Sequence, residues 1–353
     1  TYMTASSDDP ALSCEYPHIH GEFIGEGNKA FAKLNFLKAK LLRSTTPGLD
    51  VYQWKRSKGV GCYVHIPHTA SDVTLYRMFG IDYYDAIMLS GEYQAEDIRA
   101  LEKMRNLPSK DLVKIGIPYM DDMLARLLAP SWGESAILKK YGEKIIEVLL
   151  QTGYHVIVRP HPQSFRSETE MIERIMKAYP DSDQLEWNRD NDNYEVLKRS
   201  DILISDFSGV IFDFTLIFDK PVIYADTKFD TSPYDAWWLD KECWTFSVLP
   251  RIGHVLTPEN MNDLKNIIDT CLEDPRYAKG RDEARAETWE HPGEGAVRAV
   301  DYLMQKLEEQ TEKDRQKAEK QTAKKDGEKK PSRGRKKSVR VTGENTKEKK
   351  EGK

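Results

Sequence analysis

At 353 residues, 39% hydrophobic and with 17 Tyr, 11 Phe and 7 Trp, the chain carries enough apolar mass for two globular domains. No apolar run reaches the roughly 18 residues a bilayer span requires, no signal-peptide pattern is present, and Cys14, Cys62, Cys243 and Cys271 are scattered without a C-x-x-C pair. This argues against a disulfide framework or a zinc site and points to reduced thiols.

The net charge of −5 is unevenly divided. Residues 309–353 hold 17 Lys and Arg against 9 Asp and Glu, a balance of +8, which leaves −13 for residues 1–308.

Residues 1–28 are loop-rich, with Gly21, Gly25 and Gly27. The chain opens at Thr1 without Met, and Tyr2 and Met3 read as a strand already under way, so a preceding segment is expected. His18 and His20 flank Ile19 with no further ligand nearby and read as surface histidines. Residues 29–43 place apolar side chains at 31, 34, 37, 41 and 42 opposite lysines, which predicts an amphipathic helix.

Residues 61–66 then predict a strand, followed by Pro67-His68-Thr69-Ala70-Ser71-Asp72 and a helix. Strands over 84–89 and 112–117 flank a helix over 94–105 with apolar positions 95, 98, 101 and 104. Such alternation means a parallel sheet covered by helices. It defines a first Rossmann-like domain over residues 1–124.

The alternation restarts in a second domain over 125–308. A strand over 127–129 runs into Pro130-Ser131-Trp132-Gly133, and a helix is expected over 134–152. Residues 154–159 form a strand ending in Arg159-Pro160-His161-Pro162. A helix over 167–178, a strand over 184–187 and a helical turn over 194–198 follow. Residues 201–204 are a strand, Ser205-Asp206-Phe207-Ser208-Gly209 a polar turn, and the apolar run behind it a helix of about three turns before a strand over 221–225. A last helix covers 296–309. The tail beyond Asp314 lacks aromatic residues and apolar periodicity and is expected to be disordered.

Chemistry concentrates at the carboxyl ends of these strands, where open α/β sheets bind ligands. Ser131-Trp132-Gly133, Arg159 with His161, and Ser205 through Gly209 are three such turns. Gly133 permits backbone approach to a phosphate. Prolines on either side of His161 stiffen its turn. A permanent cation and an imidazole there suit a diphosphate leaving group. Asp213 falls one turn past Gly209 and is expected to face the same cleft. Ser208 and Asp206 also read simply as caps of a buried helix. In the first domain His68 lies beyond its strand and is the candidate general base for an acceptor hydroxyl. His65 belongs to the strand itself. Asp72 reads either as a group that orients His68 or as the cap of the helix that follows it, and capping is the preferred reading.

Pro130-Ser-Trp-Gly133, Arg159-Pro-His-Pro162, Ser205-Asp-Phe-Ser-Gly-Val-Ile-Phe-Asp-Phe214 and Lys220-Pro-Val-Ile-Tyr224 together resemble the CDP-glycerol glycerophosphotransferase family of teichoic-acid polymerases and primases. Gly116-Ile-Pro118 with Asp121 is similar to that family's Gly-x-Pro-x-x-Asp turn, and Gly293 with Arg298 to its last motif. The resemblance covers roughly residues 60–305. Where the family has Trp-His-Gly-Thr-Pro-Leu-Lys, this chain has His65-Ile-Pro-His68-Thr-Ala-Ser-Asp72.

The resemblance implies a GT-B fold, two doubly wound domains facing across a cleft, and no required metal or cofactor. It also implies a CDP-polyol donor, with glycerol phosphate as the transferred unit, and a lipid-linked or polymeric acceptor. By the same token His161 would contact the donor diphosphate, and Ser205, Asp206, Ser208 and Gly209 would line the nucleotide site. Attachment to the cytoplasmic face of the membrane is expected, with the basic tail on anionic lipid rather than on a specific nucleic acid. Two other functions fit the same architecture: a GT-B glycosyltransferase using an NDP-sugar, and a non-catalytic envelope-assembly factor.

Overall fold

The structure is a computed structural model that describes residues 1–14, 16–126, 138, 141–160, 165, 168–190, 193–206, 208–226 and 229–327. Every strand ladder among these residues is parallel. Strands β1 (Tyr2–Thr4) and β2 (Gly21–Phe23) pair with each other. Strands β3 (Lys38–Ser44), β4 (Gly59–His65), β5 (Ala86–Leu89) and β6 (Asp111–Lys114) form one four-stranded sheet in that order. In the second half β7 (Val156–Val158) pairs with β8 (Leu185–Trp187), while β9 (Leu203–Ser205), β10 (Val222–Ala225) and β11 (Gly253–Leu256) form a sheet with β10 in the middle.

The first sheet is buried on both faces, as βα alternation demands. Tyr63, Ile87 and Leu89 face one cluster with Trp54, Tyr84 and Ile98, whereas Cys62, Val64, Ala86 and Met88 face the other. The helix expected over 29–43 stops at Asn35, and the chain becomes strand at Lys38. The reason lies in pairing with β4: Leu41 packs with the Cys62 and Val64 face and adjacent Leu42 with the Tyr63 face. Sheet alternation overrides a pattern that also fits a helix. After Asp72 the expected helix is a single 3-10 turn, Val73–Leu75.

In the second half, helices Glu143–Gln151, Thr169–Ala178 and Tyr194–Arg199 fall where apolar spacing puts them. The strand expected over 127–129 lies outside the described residues. The turn after β9 enters an α-helical Val210–Phe212 that widens into a π-helical Asp213–Ile217. Strand β11 is an addition to the expected set. Its Gly253 sits so close to β10 that a Cβ would stand 1.9 Å from the Val222 carbonyl oxygen, which explains the glycine.

Residues 1–310 form one compact unit. A shared core joins its halves: Ala70, Ile117 and Met120 of the first pack with Phe212, Phe214, Trp244 and Trp289 of the second. Fully burying a large side chain contributes about 1.5–3 kcal/mol, so this aromatic cluster is a major bond between the halves. The last helix, Gly295–Gly327, lays Ala299, Tyr302 and Leu303 on the first sheet beside Cys62, Val64 and Ile115. It runs past the expected end at Glu309 and through part of the tail expected to be disordered. Ion pairs of Arg315 with Glu312 and Glu319, at one-turn spacing, accompany that extension. Residues 328–353 lie outside the described residues.

Candidate functional site

Two segments meet where the halves adjoin: the loop after β4 and the turn after β9. In the first, His65 ends the strand as a core residue. It lies between the rings of Tyr76 and Tyr84, 5.3 and 5.0 Å between centroids, with Nε2 3.3 Å from Tyr76 Oη. Burial, with a smaller contribution from nearby His68, pushes its pKa down to about 3. His68, three residues on, is exposed, and partial desolvation lowers its pKa below the ordinary 6.5. A lowered value keeps the imidazole neutral and able to accept a proton near neutral pH.

The backbone beyond His68 is pinned at several points. Tyr93 O–H donates to the Ala70 carbonyl, and its oxygen lies 2.8 Å from Thr288 Oγ1. Gln94 Nε2 donates to the Ser71 carbonyl at 3.0 Å while its Oε1 accepts from Ser90 N–H. Asp72 does not cap its own short helix. Its carboxylate accepts instead from Trp244 N–H at 3.1 Å, Thr245 N–H at 2.6 Å and Thr245 Oγ1–H at 2.6 Å, the start of a helix in the other half.

In the second segment Ser205 and Asp206 are buried. Asp206 Oδ1 accepts from Ser208 N–H at 2.9 Å, closing an Asx turn. That amide is therefore engaged within the turn. Gly209 abuts the first half: a Cβ built there would lie 3.3 Å from Thr69 Oγ1. The loop bearing His68 thus touches the turn bearing Ser208. A cavity of about 440 Å³ runs between β7 and β9, with Arg159, Asn193, Ser205 and Ser208 among its polar lining residues and Val156, Val158 and Ile204 among its apolar ones. Arg159 Nη2 donates to the Asp190 carbonyl at 3.0 Å.

Asp213 does not open onto that cavity. Only 1% exposed, it accepts from Tyr119 O–H of helix Pro118–Arg126, and burial together with the Asp213 charge raises the Tyr119 pKa well above its ordinary value. Ser131, Trp132, Gly133 and His161 lie outside the described residues. The structure therefore brings Thr69, the neighbour of His68, to Gly209, sets Arg159 and Ser208 on the lining of the cavity, and gives Asp213 to the contact between the halves.

Other polar residues bridge the halves; Arg105, Asp235, Asp97 and Lys241 were not singled out from sequence, whereas Asp121 was. Arg105 lies between Asp82 and Asp235 at 2.7 and 2.6 Å, with the Phe79 and Trp238 rings 4.8 and 5.1 Å from its guanidinium carbon. Asp97 pairs with Lys241, yet burial pushes its pKa up to about 6. Asp121 accepts from Trp289 Nε1–H at 2.9 Å, Gly293 N–H at 2.6 Å and Gly295 N–H at 2.9 Å, capping the last helix. Gly116, at φ 82°, leaves no room for a Cβ, which would stand 2.0 Å from the Glu290 carbonyl oxygen. The Gly-x-Pro-x-x-Asp turn is thus a joint between the halves. The only sequence signal for these contacts was that Gly and Asp spacing. Among the described residues no group of three or more His, Cys, Asp or Glu is arranged to hold a metal, and no helix is long and apolar enough to cross a membrane.

Residues 127–238 match the family model of CDP-Glycerol:Poly(glycerophosphate) glycerophosphotransferase. No curated protein sequence matches the chain. Among solved structures it is similar to a UDP-forming alpha,alpha-trehalose-phosphate synthase from Burkholderia xenovorans, at 9% identity and TM-score 0.37 over 70% of this chain and 68% of that one. It is similar to Anabaena HepE in complex with UDP-glucose, at 12% identity and TM-score 0.37 over 80% and 77%. It is also similar to the pneumococcal O-GlcNAc transferase GtfA in complex with UDP and GlcNAc, at 9% identity and TM-score 0.40, spanning 80% of this chain and 59% of that protein.

Proposed function

We propose, starting from a second half whose residues 127–238 carry the glycerophosphotransferase match, that the protein transfers a polyol phosphate from its CDP ester to a hydroxyl acceptor. Glycerol phosphate is the unit assigned, and the acceptor is a lipid-linked or polymeric chain of the cell envelope. The observation that carries this reading is the seating of Gly209 against Thr69, one residue from His68.

In this reading the acceptor oxygen attacks the phosphorus that bears the polyol. The bond from that phosphorus to the bridging oxygen breaks, CMP leaves, and the hydroxyl proton passes to His68. Arg159 and His161 meet the charge that grows on the departing phosphate. Ser205 and Asp206 shape the turn that presents Ser208, and Ser131, Trp132 and Gly133 complete the donor side. Asp213 acts from the joint rather than on the donor. No cofactor is assigned beyond the donor itself. The protein works peripherally on the cytoplasmic face of the membrane, with its basic tail on anionic lipid.

The test is release of CMP from CDP-glycerol and CDP-ribitol in the presence of a hydroxyl-terminated envelope lipid, with UDP-glucose as competitor donor. CMP release dependent on acceptor is the expected result. Turnover of UDP-glucose alone, or no CMP from either CDP ester, overturns the assignment.

A further inference from the structure

We infer that Asp72 and Thr245 form a latch between the two halves that sets the distance from His68 to the Ser205 to Gly209 turn, making Asp72 a positioning residue for transfer. The inference rests on the proposed transferase reading for its catalytic meaning, and on contacts alone for its existence.

A carboxylate at 3% exposure is costly to bury unless its oxygens are fully occupied. Among the described residues Asp72 meets that condition across the joint: its Oδ1 accepts from Trp244 N–H, its Oδ2 from Thr245 N–H and Oγ1–H, and its own N–H donates to Thr245 Oγ1 at 3.1 Å. Its partners open helix Trp244–Ser247, and an acid at the first N–H groups of a helix acts as a cap. The cap is supplied by the other half of the molecule.

Both ends of this link lead to the site. On one side Asp72 terminates the segment that begins at Pro67, so fixing it fixes His68, four residues upstream. On the other side the Trp244 ring packs on Phe212 at 5.3 Å between centroids, and Phe212 N–H bonds back to the Gly209 carbonyl at 3.0 Å. Trp244 also packs on Tyr93 at 4.9 Å, and Tyr93 holds Ala70. The path from His68 to Gly209 through Asp72, Trp244 and Phe212 is therefore continuous, and it closes at the direct approach of Thr69 to Gly209. A base held on one half and a donor turn on the other need such a link, because small misplacements of reacting groups cost large factors in rate.

The experiment compares wild type, Asp72→Asn and the milder Thr245→Val in two measurements. The first is steady-state transfer with separate KM values for donor and acceptor. The second is amide hydrogen exchange over residues 66–72. The latch predicts a kcat lowered by about 10²-fold in Asp72→Asn and by about 10-fold in Thr245→Val, with donor KM within about twofold of wild type. It also predicts faster exchange at residues 66–72, while exchange of β7 and β8 is unchanged. Unaltered kcat, loss of activity in step with loss of folded protein, or unaltered exchange at residues 66–72 in Thr245→Val overturns it. Should wild type release no CMP from any CDP-polyol, the transferase reading fails, and the exchange measurement still decides for or against the latch.

Discussion

His65 and His68 are close in sequence, yet burial assigns them different work. The first, enclosed by Tyr76 and Tyr84, has its pKa pushed down to about 3 and stays neutral through the physiological range. The second stands on the loop that reaches Gly209, and its pKa falls below 6.5 through partial desolvation. For a group acting as general base, a lowered value means that the active, neutral form persists to lower pH. The acid limb of a kcat/KM profile for CMP release should therefore have its midpoint below 6.5. His68→Ala should abolish that limb and reduce turnover by about 10²–10⁴-fold. His65→Phe should leave the limb in place, because His65 does not titrate there. A profile whose acid limb survives in His68→Ala would remove His68 from the chemistry.

Among the elements, the turn from Gly116 to Asp121 and the cap it gives to the last helix bind distant segments most economically. Asp121→Ala removes the acceptor for Trp289 Nε1–H, Gly293 N–H and Gly295 N–H together. The expected cost is about 2 kcal/mol, read as a Tm lowered by several degrees with donor affinity retained. An unchanged Tm would mean that the cap contributes nothing.

This turn was recognisable in the sequence because Gly, Pro and Asp each have a local signature. The same holds for β4, β5 and β6, whose Val, Ile and Leu runs are bounded by glycine or polar turns. Strand β3 was not recognisable: Phe31, Leu34, Leu37, Leu41 and Leu42 fit one helical face until pairing with Gly59–His65 decides between the two periods. Nor did local sequence reveal the partners of Asp72, which lie more than 170 positions away. The turn Ser205 to Gly209 was legible as a turn, but its Asp206 to Ser208 bond and the burial of Asp213 against Tyr119 depend on tertiary packing.

For the molecule as a whole, catalysis in the proposed sense depends on two halves that share one aromatic core and the buried Arg105–Asp235 ion pair rather than meeting at a loose hinge. Such a joint restricts motion between the halves to small adjustments. It also makes the first half discontinuous in sequence, since Ala299, Tyr302 and Leu303 finish the outer face of its sheet.

That last arrangement bears on biogenesis. While the nascent polypeptide is being made, the sheet of residues 38–114 leaves the ribosome long before the helix that seals its outer side, so Cys62, Val64 and Met88 stay uncovered until residues 299–303 have followed. Chains terminated at residue 294 should then be cut by protease within residues 38–114 far faster than chains terminated at residue 310. Equal resistance of the two would mean that the sheet matures without its seal.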